Sequence, residues 1–193
     1  MNLFTKILPG NIPYTGVELR PQWIAEQTGH FGDALVAFRG PCHVKSSEMV
    51  DVEDSRRNLF IESKEMLHFL GENFHLGLDA AVGHQRLLIA NFVELLAAEL
   101  PAQFRVGRQG DDIFIRETGN QQNLKLSVSV VTATAVSTII HFGVNIDASG
   151  APVPAIGLQN LGIDPEAFAQ KVLTRWVWEF DSMYKARCKV SPR

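Results

Sequence analysis

From Leu126 to Ile146 the chain reads LSVSVVTATAVSTIIHFGVNI, without one Asp, Glu, Lys or Arg. A stretch of that length can cross a bilayer as a helix, which takes about 20 apolar residues. It can also form two strands and a turn. Ser, Thr and β-branched residues crowd it, and polar and apolar residues alternate, which is the period of a half-buried strand. The reading is a strand pair over 123–147 and no membrane association.

The pattern of that pair makes a chemical prediction. In the first strand Leu124, Leu126, Val128 and Val130 point one way, and Lys125, Ser127 and Ser129 the other. In the second, Ile140, Phe142, Val144 and Ile146 oppose Ile139, His141, Gly143 and Asn145. If both apolar rows share one face, directly opposed residue numbers sum to an even number and the turn holds an odd count of residues. Lys125, Ser127, Ser129, His141 and Asn145 then share the second face. A solvated face usually carries long charged or branched residues. Small residues, including Gly143, around one Lys and one His instead suit the close approach of a ligand.

Elsewhere the chain alternates between strand and helix signals. Residues 1–16, with two Pro and two Gly, read as an irregular or edge arm. Residues 17–28 read as a short helix ended by Gly29, and 33–39 as a strand that must turn at Gly40-Pro41. MVDVED (Met49–Asp54) reads as a short strand. Ser63–Phe74 carries Met66, Leu67, Leu70 and Phe74 at helical spacing, with Ser63 as N-cap. Asp79–Leu100 is the clearest helix, stopped by Pro101. Strands follow near 103–107 and 112–116, then a polar turn and the strand pair. A Gly- and Pro-rich loop occupies 148–163. Asp164 and Pro165 open a last helix, 164–185, with Trp176, Val177, Phe180 and Tyr184 on its buried side and Trp178 free for an interface. One domain over 1–193 of α+β class results, a mostly antiparallel sheet with helices packed on one side.

Composition narrows the function classes. Eighteen Lys and Arg stand against 21 Asp and Glu, a net charge of −3, which gives no electrostatic basis for strong nucleic-acid binding. Cys42 and Cys188 are too few for a disulfide framework or a cysteine-rich zinc site, and they point to a reduced, cytoplasmic protein. The N-terminal apolar run is too short for a signal peptide.

Several local patterns carry chemistry. Arg39 at a strand end beside Gly40 can offer a bidentate fork to a carboxylate or phosphate, or be an ordinary surface arginine. Asp51 and Glu53, on one face of a strand, could hold Mg²⁺, though a solvated acidic edge has the larger prior. Glu65, His68 and Glu72 share a face of the helix read over 63–74, but they do not form the HExxH zinc pattern. Cys42 and His43 are adjacent, so on a strand they point apart and make a poor nucleophile dyad. No Walker A or GxGxxG sequence is present.

Taken together, GDALVAFRGPCHV, MVDVED, MLHFL, HQRLL, KLSVSV and HFGVNI resemble an uncharacterised prokaryotic family, domain of unknown function 366, across nearly the whole chain. That resemblance implies the class II synthetase and biotin/lipoate protein ligase fold. Three segments are similar to motifs of those ligases. Phe38-Arg39-Gly40-Pro41 is similar to their Arg-Gly-Gly strand. Ile113-Phe114-Ile115 followed by Lys125-Leu126-Ser127 is similar to their lysine segment. His141-Phe142-Gly143-Val144-Asn145-Ile146 is similar to their His-Gly…Asn-Val strand. The resemblance implies that Lys125 contacts an acyl carboxyl or carbonyl, that Arg39 and Gly40 line the acyl or adenylate pocket, and that ATP and Mg²⁺ serve as cofactors. Two departures matter. Pro41 replaces the second Gly, and the loop PVPAIGLQNLGI lacks the Cys of octanoyl transferases.

The functional expectation is a pocket for the carboxylate, acyl or adenylate group of a small molecule. Lys125 is its catalytic candidate, and Arg39, Gly40, Ser127, Ser129, His141, Gly143 and Asn145 are its binding candidates. A ligase or acyl/adenylyl transferase would use that pocket for turnover, and a binding module would not. A factor in RNA or nucleotide metabolism is the third class, and a homodimer is an arrangement open to any of them.

Overall fold

The computed structural model describes residues 3–191. Eight strands and four helices follow one another. β1 (Phe4–Asn11), α1 (Trp23–Thr28), β2 (Ala34–Val44), α2 (Val52–Arg56) and β3 (Ile61–Asn73) make the first half. Then come α3 (Leu78–Glu99), β4 (Phe104–Gln109), β5 (Asp112–Glu117), β6 (Leu124–Lys125), β7 (Ser127–Ala133), β8 (Thr138–Asp147) and α4 (Pro165–Cys188). The main sheet runs β1-β2-β3-β8-β7, and β4-β5-β6 form a small second sheet. Every pairing is antiparallel except that of β1 with β2. The N-terminal arm is thus an edge strand over 4–11.

The two long helices cover one face of the main sheet. Phe92 of α3 meets Phe142 edge-on at 5.1 Å between centroids and Phe168 of α4 at 5.0 Å, a geometry that adds to burial. Leu35, Ala37, Leu67 and Phe69 complete this core. The other face is packed by Tyr14 and by Trp23 and Ile24 of α1, against Val36, Phe38, Met66 and Leu70. On α4, Asp164 caps the first turn by accepting from the Ala167 amide at 2.7 Å, with Pro165 at its first position. Trp176 and Phe180 are buried, whereas Val177 is exposed and Trp178 is 62% exposed. No helix of the described residues is long and apolar enough to cross a membrane.

Five local expectations are corrected. Residues 63–73 belong to the central strand β3, not to a helix. Residues 66–73 are buried throughout, because β3 has a core on each face, and a strand buried on both sides shows no alternation. The Ser63 hydroxyl caps no helix and instead donates to the Asp147 carbonyl at 3.0 Å. Gly40-Pro41 does not turn. β2 runs on through a bulge between Gly40 and Cys42, the place in a sheet where a proline is tolerated. MVDVED is no strand: Asp51 accepts from the Glu53 and Asp54 amides at 2.8 and 3.0 Å and starts α2. The first helix keeps only residues 23–28, ended by Gly29 in the left-handed region.

The fifth correction concerns register. Ser127 opposes Val144 and Ser129 opposes Phe142, so the opposed numbers sum to an odd number and the turn, 134–137, holds an even count. The cause is Leu126, the residue between β6 and β7, which bonds to both sheets. Its amide donates to Ile113 O at 2.8 Å, and its carbonyl accepts from the Asn145 amide at 2.9 Å. As the chain crosses between sheets the alternation slips by one residue. Leu126 is buried in the helix-side core, but Val128 packs on the opposite side. Ser127 and Ser129 therefore share the phase of Phe142 and Val144, and only His141, Gly143 and Asn145 keep the predicted face.

Candidate functional site

Where the two sheets meet, a cavity of about 460 Å³ opens along the β7 edge. Lys125, Ser127, Ser129 and Asn145 all line it, as does Asp51. Lys125 is held from both sides. It pairs with Phe114 of β5, and its amide and carbonyl bond Pro154 O at 2.9 Å and the Ile156 amide at 3.0 Å. Asn145 Nδ2 donates to the same Lys125 carbonyl at 3.3 Å. The ammonium of Lys125 lies 3.0 Å from Asp112 Oδ2.

The serines are already committed. Ser129 Oγ accepts from Gln85 of α3 at 2.8 Å and donates to His141 O at 2.9 Å. Ser127 Oγ accepts from the Ile113 amide at 3.0 Å. Both tie the β7 edge to its surroundings while forming part of the cavity wall.

His141 and Gly143 lie beneath this cavity and do not line it. Gly143 keeps the packing close: a Cβ there would come within 3.1 Å of His141 Cε1 and 3.3 Å of Met66 Sδ. His141 is buried and stacked on Tyr14 at 3.7 Å between ring centroids. Its Nε2 lies 3.1 Å from His68 Nδ1, and His68 Nε2 lies 3.2 Å from Gly40 O. A carbonyl only accepts, so His68 carries its proton on Nε2 and His141 donates from Nε2 to His68 Nδ1. Burial pushes His68 down to about 4, and burial with the neighbouring His68 holds His141 well below the ordinary imidazole value. Both rings are neutral at pH 7 and serve as a buried polar cross-link between β2, β3 and β8.

Arg39 is elsewhere. It has the phase of Leu35 and Ala37 on the helix side of β2, and it binds Glu65 through Nε and Nη2 at 3.0 and 2.6 Å. It lines a second cavity, also about 460 Å³, beside Gly10, Asn11, Glu65 and Glu166. No residue lines both cavities, so Arg39 and Lys125 do not form one pocket. Gly40 lines neither; its α-carbon abuts the Ile12 carbonyl, which a Cβ would meet at 1.9 Å.

The remaining candidates also resolve. Glu53 pairs with Arg57 at 2.6 Å in the open, and Glu53 does not share the cavity with Asp51. Glu65, His68 and Glu72 do not share a face, since β3 sends His68 and Glu72 one way and Glu65 the other. Glu72 is buried, accepting from the Gln22 amide at 3.0 Å and Ser137 Oγ at 2.6 Å. Cys42 is buried and His43 faces outward near Glu62; burial with nearby Glu18 raises the Cys42 thiol to about 12, too high for a thiolate nucleophile. Among the described residues no three His, Cys, Asp or Glu side chains are grouped to hold a metal.

Sequence reasoning missed Asp111, Asp112, Phe60 and Glu62, all of which line the Lys125 cavity. Asp111 receives Arg86 Nη1 at 2.8 Å, and burial outweighs that pairing to hold its carboxyl above the ordinary value. Asp111 follows Gly110 in the β4–β5 turn and Asp112 opens β5. Pairing of β5 with β6 is what brings Asp112 to Lys125.

Comparison with other proteins agrees with this architecture. A solved structure of a protein of unknown function from Pyrococcus horikoshi superposes with a TM-score of 0.88 at 38% identity, over 99% of each chain. An uncharacterized protein of Methanocaldococcus jannaschii is 29% identical over 188 residues, 94% of this chain and 81% of that one. Biotin protein ligase from Aquifex aeolicus superposes with a TM-score of 0.53 at 15% identity, over 96% of this chain and 71% of that one. The last is a likeness of fold, which by itself transfers no activity. The family model described as a domain of unknown function (DUF366) matches residues 3–191, and with that match running from end to end of the described structure, the protein belongs to the DUF366 family.

Proposed function

We propose that this protein handles a small organic molecule in the cavity at Lys125, with an oxygen of its carboxylate, acyl or adenylate group directed at the lysine ammonium. The observation that carries the reading is the cavity itself. Two sheets, the β7 edge and the 151–155 loop converge on one lysine, with an apolar wall that includes Phe60, Met66 and Val128. A volume of about 460 Å³ lies within the range of ligand sites. A biotin protein ligase of like fold was solved in complex with biotin, which supports a small organic molecule as the class of ligand.

The lining does not fit ATP with Mg²⁺. Five carboxylates, Asp51, Asp54, Glu62, Asp111 and Asp112, face the cavity against the single lysine, and among the described residues no three of them are grouped to hold a metal ion, so a triphosphate would meet like charge without a bridging cation. Arg39 lies in the other cavity, bound to Glu65. We therefore derive no step through a nucleotide.

A non-catalytic binding module is the second reading, and the Lys125–Asp112 pair at 3.0 Å favours it. A lysine with a resident carboxylate partner is well suited to positioning a ligand, and any oxyanion forming there must compete with Asp112.

A thermal-shift panel of biotin, lipoate, octanoate and amino acids on the wild type and Lys125→Ala tests the proposal. A ligand at about 100 times its Kd stabilises by about 2.7 kcal/mol. A shift present in the wild type and lost in Lys125→Ala is the expected result. No shift with any compound, or equal shifts in both proteins, overturns it.

A further inference from the structure

Two independent features of the Lys125 cavity describe the other end of its ligand. The first is an unspent acceptor. Asn145 is only 5% exposed and lines the cavity. Its Nδ2 is committed to the Lys125 carbonyl at 3.3 Å, which fixes the amide orientation, because a carbonyl cannot accept from Oδ1. Oδ1 has no hydrogen-bond partner among the described residues. It stays open to the cavity's solvent, since it is not among the sealed, unpartnered atoms, so a ligand that covers it without bringing an N–H or O–H forfeits about tenfold in affinity.

The second feature is charge. Lys125 is the one cationic side chain among the described residues lining the cavity. It is matched by Asp112, and Asp111 by Arg86. Asp54 and Glu62 remain, with Glu62 no closer than 3.9 Å to the His43 ring, and Asp51 adds a third carboxylate. The interior therefore carries an excess of negative charge next to an open acceptor. Burial, against the pull of Arg86 and with a further push from Asp112, holds the Asp111 carboxyl above its ordinary value.

Resting on the reading of this cavity as a ligand site, we infer that its ligand carries a protonated nitrogen, an ammonium or amidinium group that donates to Asn145 Oδ1 and is paired by the surrounding carboxylates. With the oxygen end at Lys125, the class of compound is an amino acid or aminoacyl molecule with an apolar body that covers the exposed side chains of Leu59, Phe60 and Val153 at the mouth. A simple fatty or aryl carboxylate satisfies Lys125 alone and leaves Asn145 unpaired.

Three indoles separate these ends: tryptamine carries only the ammonium, 3-indolepropionate only the carboxylate, and tryptophan both. Affinities are measured by titration with ligand-observed saturation-transfer NMR, which reads millimolar binding. Tryptamine and tryptophan are expected to bind at least about tenfold more tightly than 3-indolepropionate, and tryptamine binding is expected to weaken with added salt. Asn145→Leu is expected to weaken tryptamine about tenfold. Because Asn145 also braces Lys125, the half-exposed pair Asp54→Asn with Glu62→Gln is a second variant, expected to weaken tryptamine several-fold without touching the fold. Binding of 3-indolepropionate equal to or tighter than tryptamine overturns the ammonium assignment and leaves the Lys125 pocket standing. Failure of all three on the wild type overturns both. Tryptamine binding with no tryptophan binding supports the ammonium and removes the oxygen end from Lys125. Tryptamine binding unchanged in both variants places it outside this cavity and overturns the assignment.

Discussion

Replacing Gly40 by alanine tests whether this residue is a ligand contact or a structural necessity. A Cβ at Gly40 would sit 1.9 Å from Ile12 O and 2.5 Å from Ile12 C. Those are backbone atoms, so no rotamer relieves the clash, and the 12–14 segment must retreat by more than about 1 Å to reach van der Waals contact. That segment is held by Ile12 N to Arg39 O at 2.8 Å, Tyr14 N to Pro41 O at 2.9 Å and His43 N to Tyr14 O at 2.9 Å. A retreat of that size breaks all three, at about 1 kcal/mol each. The reduced freedom of the unfolded chain returns about 0.4–1 kcal/mol. The net loss is about 2–3 kcal/mol, a fall in Tm of about 4–12 °C for a chain of this size. Gly83→Ala is the control: it lies within α3 with nothing within 4 Å of its added Cβ, and it should gain about 1 kcal/mol. Urea unfolding followed by circular dichroism reads both. A Gly40→Ala protein within 1 kcal/mol of wild type would refute the close-approach argument.

The buried histidines set an acid limit. His68 at about 4 and His141 well below 6.5 both lie under their unfolded value, so the unfolded chain binds protons first. Their contribution is complete above about pH 6.5 and falls as the pH drops toward 4. His141→Phe keeps the stack on Tyr14 and should flatten the stability–pH slope in that window; parallel curves for variant and wild type would contradict this. Lys125→Ala should leave stability within about 1 kcal/mol, since a half-exposed ion pair contributes little, while removing ligand binding; a large loss of stability in urea unfolding would mean that Lys125 is structural. In the native protein a thiol reagent should modify Cys188, which is exposed, and spare Cys42, which is buried with its thiol raised to about 12. Two fast-reacting thiols per chain would show that the core over Cys42 opens.

Much of this molecule is legible in the chain, because the relevant signals are local. The capped helix after Asp164, the long helix closed by Pro101, the strands near 103–107 and 112–116 and the uncharged strand pair each follow from residues near one another. The α+β class follows from their order, and Lys125 was singled out by its place in a strand of small residues. What was not legible depends on partners distant in sequence. β3 looks helical because its apolar spacing is read as though one face were wet, and only the presence of a core on each side makes it a strand. Gly40-Pro41 looks like a turn until Ile12, just after β1, approaches it. The face of Ser127 and Ser129 was set by Leu126 joining two sheets, a slip of one residue that no alternation within β7 records. Motif alone pairs Arg39 with Lys125, yet the phase of β2 turns the arginine toward α4. The carboxylates that give the cavity its charge come from the β4–β5 turn and the 51–62 segment, and only the pairing of β5 with β6 and the packing of that segment against β3 bring them to the lysine. A sequence determines what each segment prefers by itself; the tertiary structure decides which faces are covered, because burial of a face is a property of two segments and not of one.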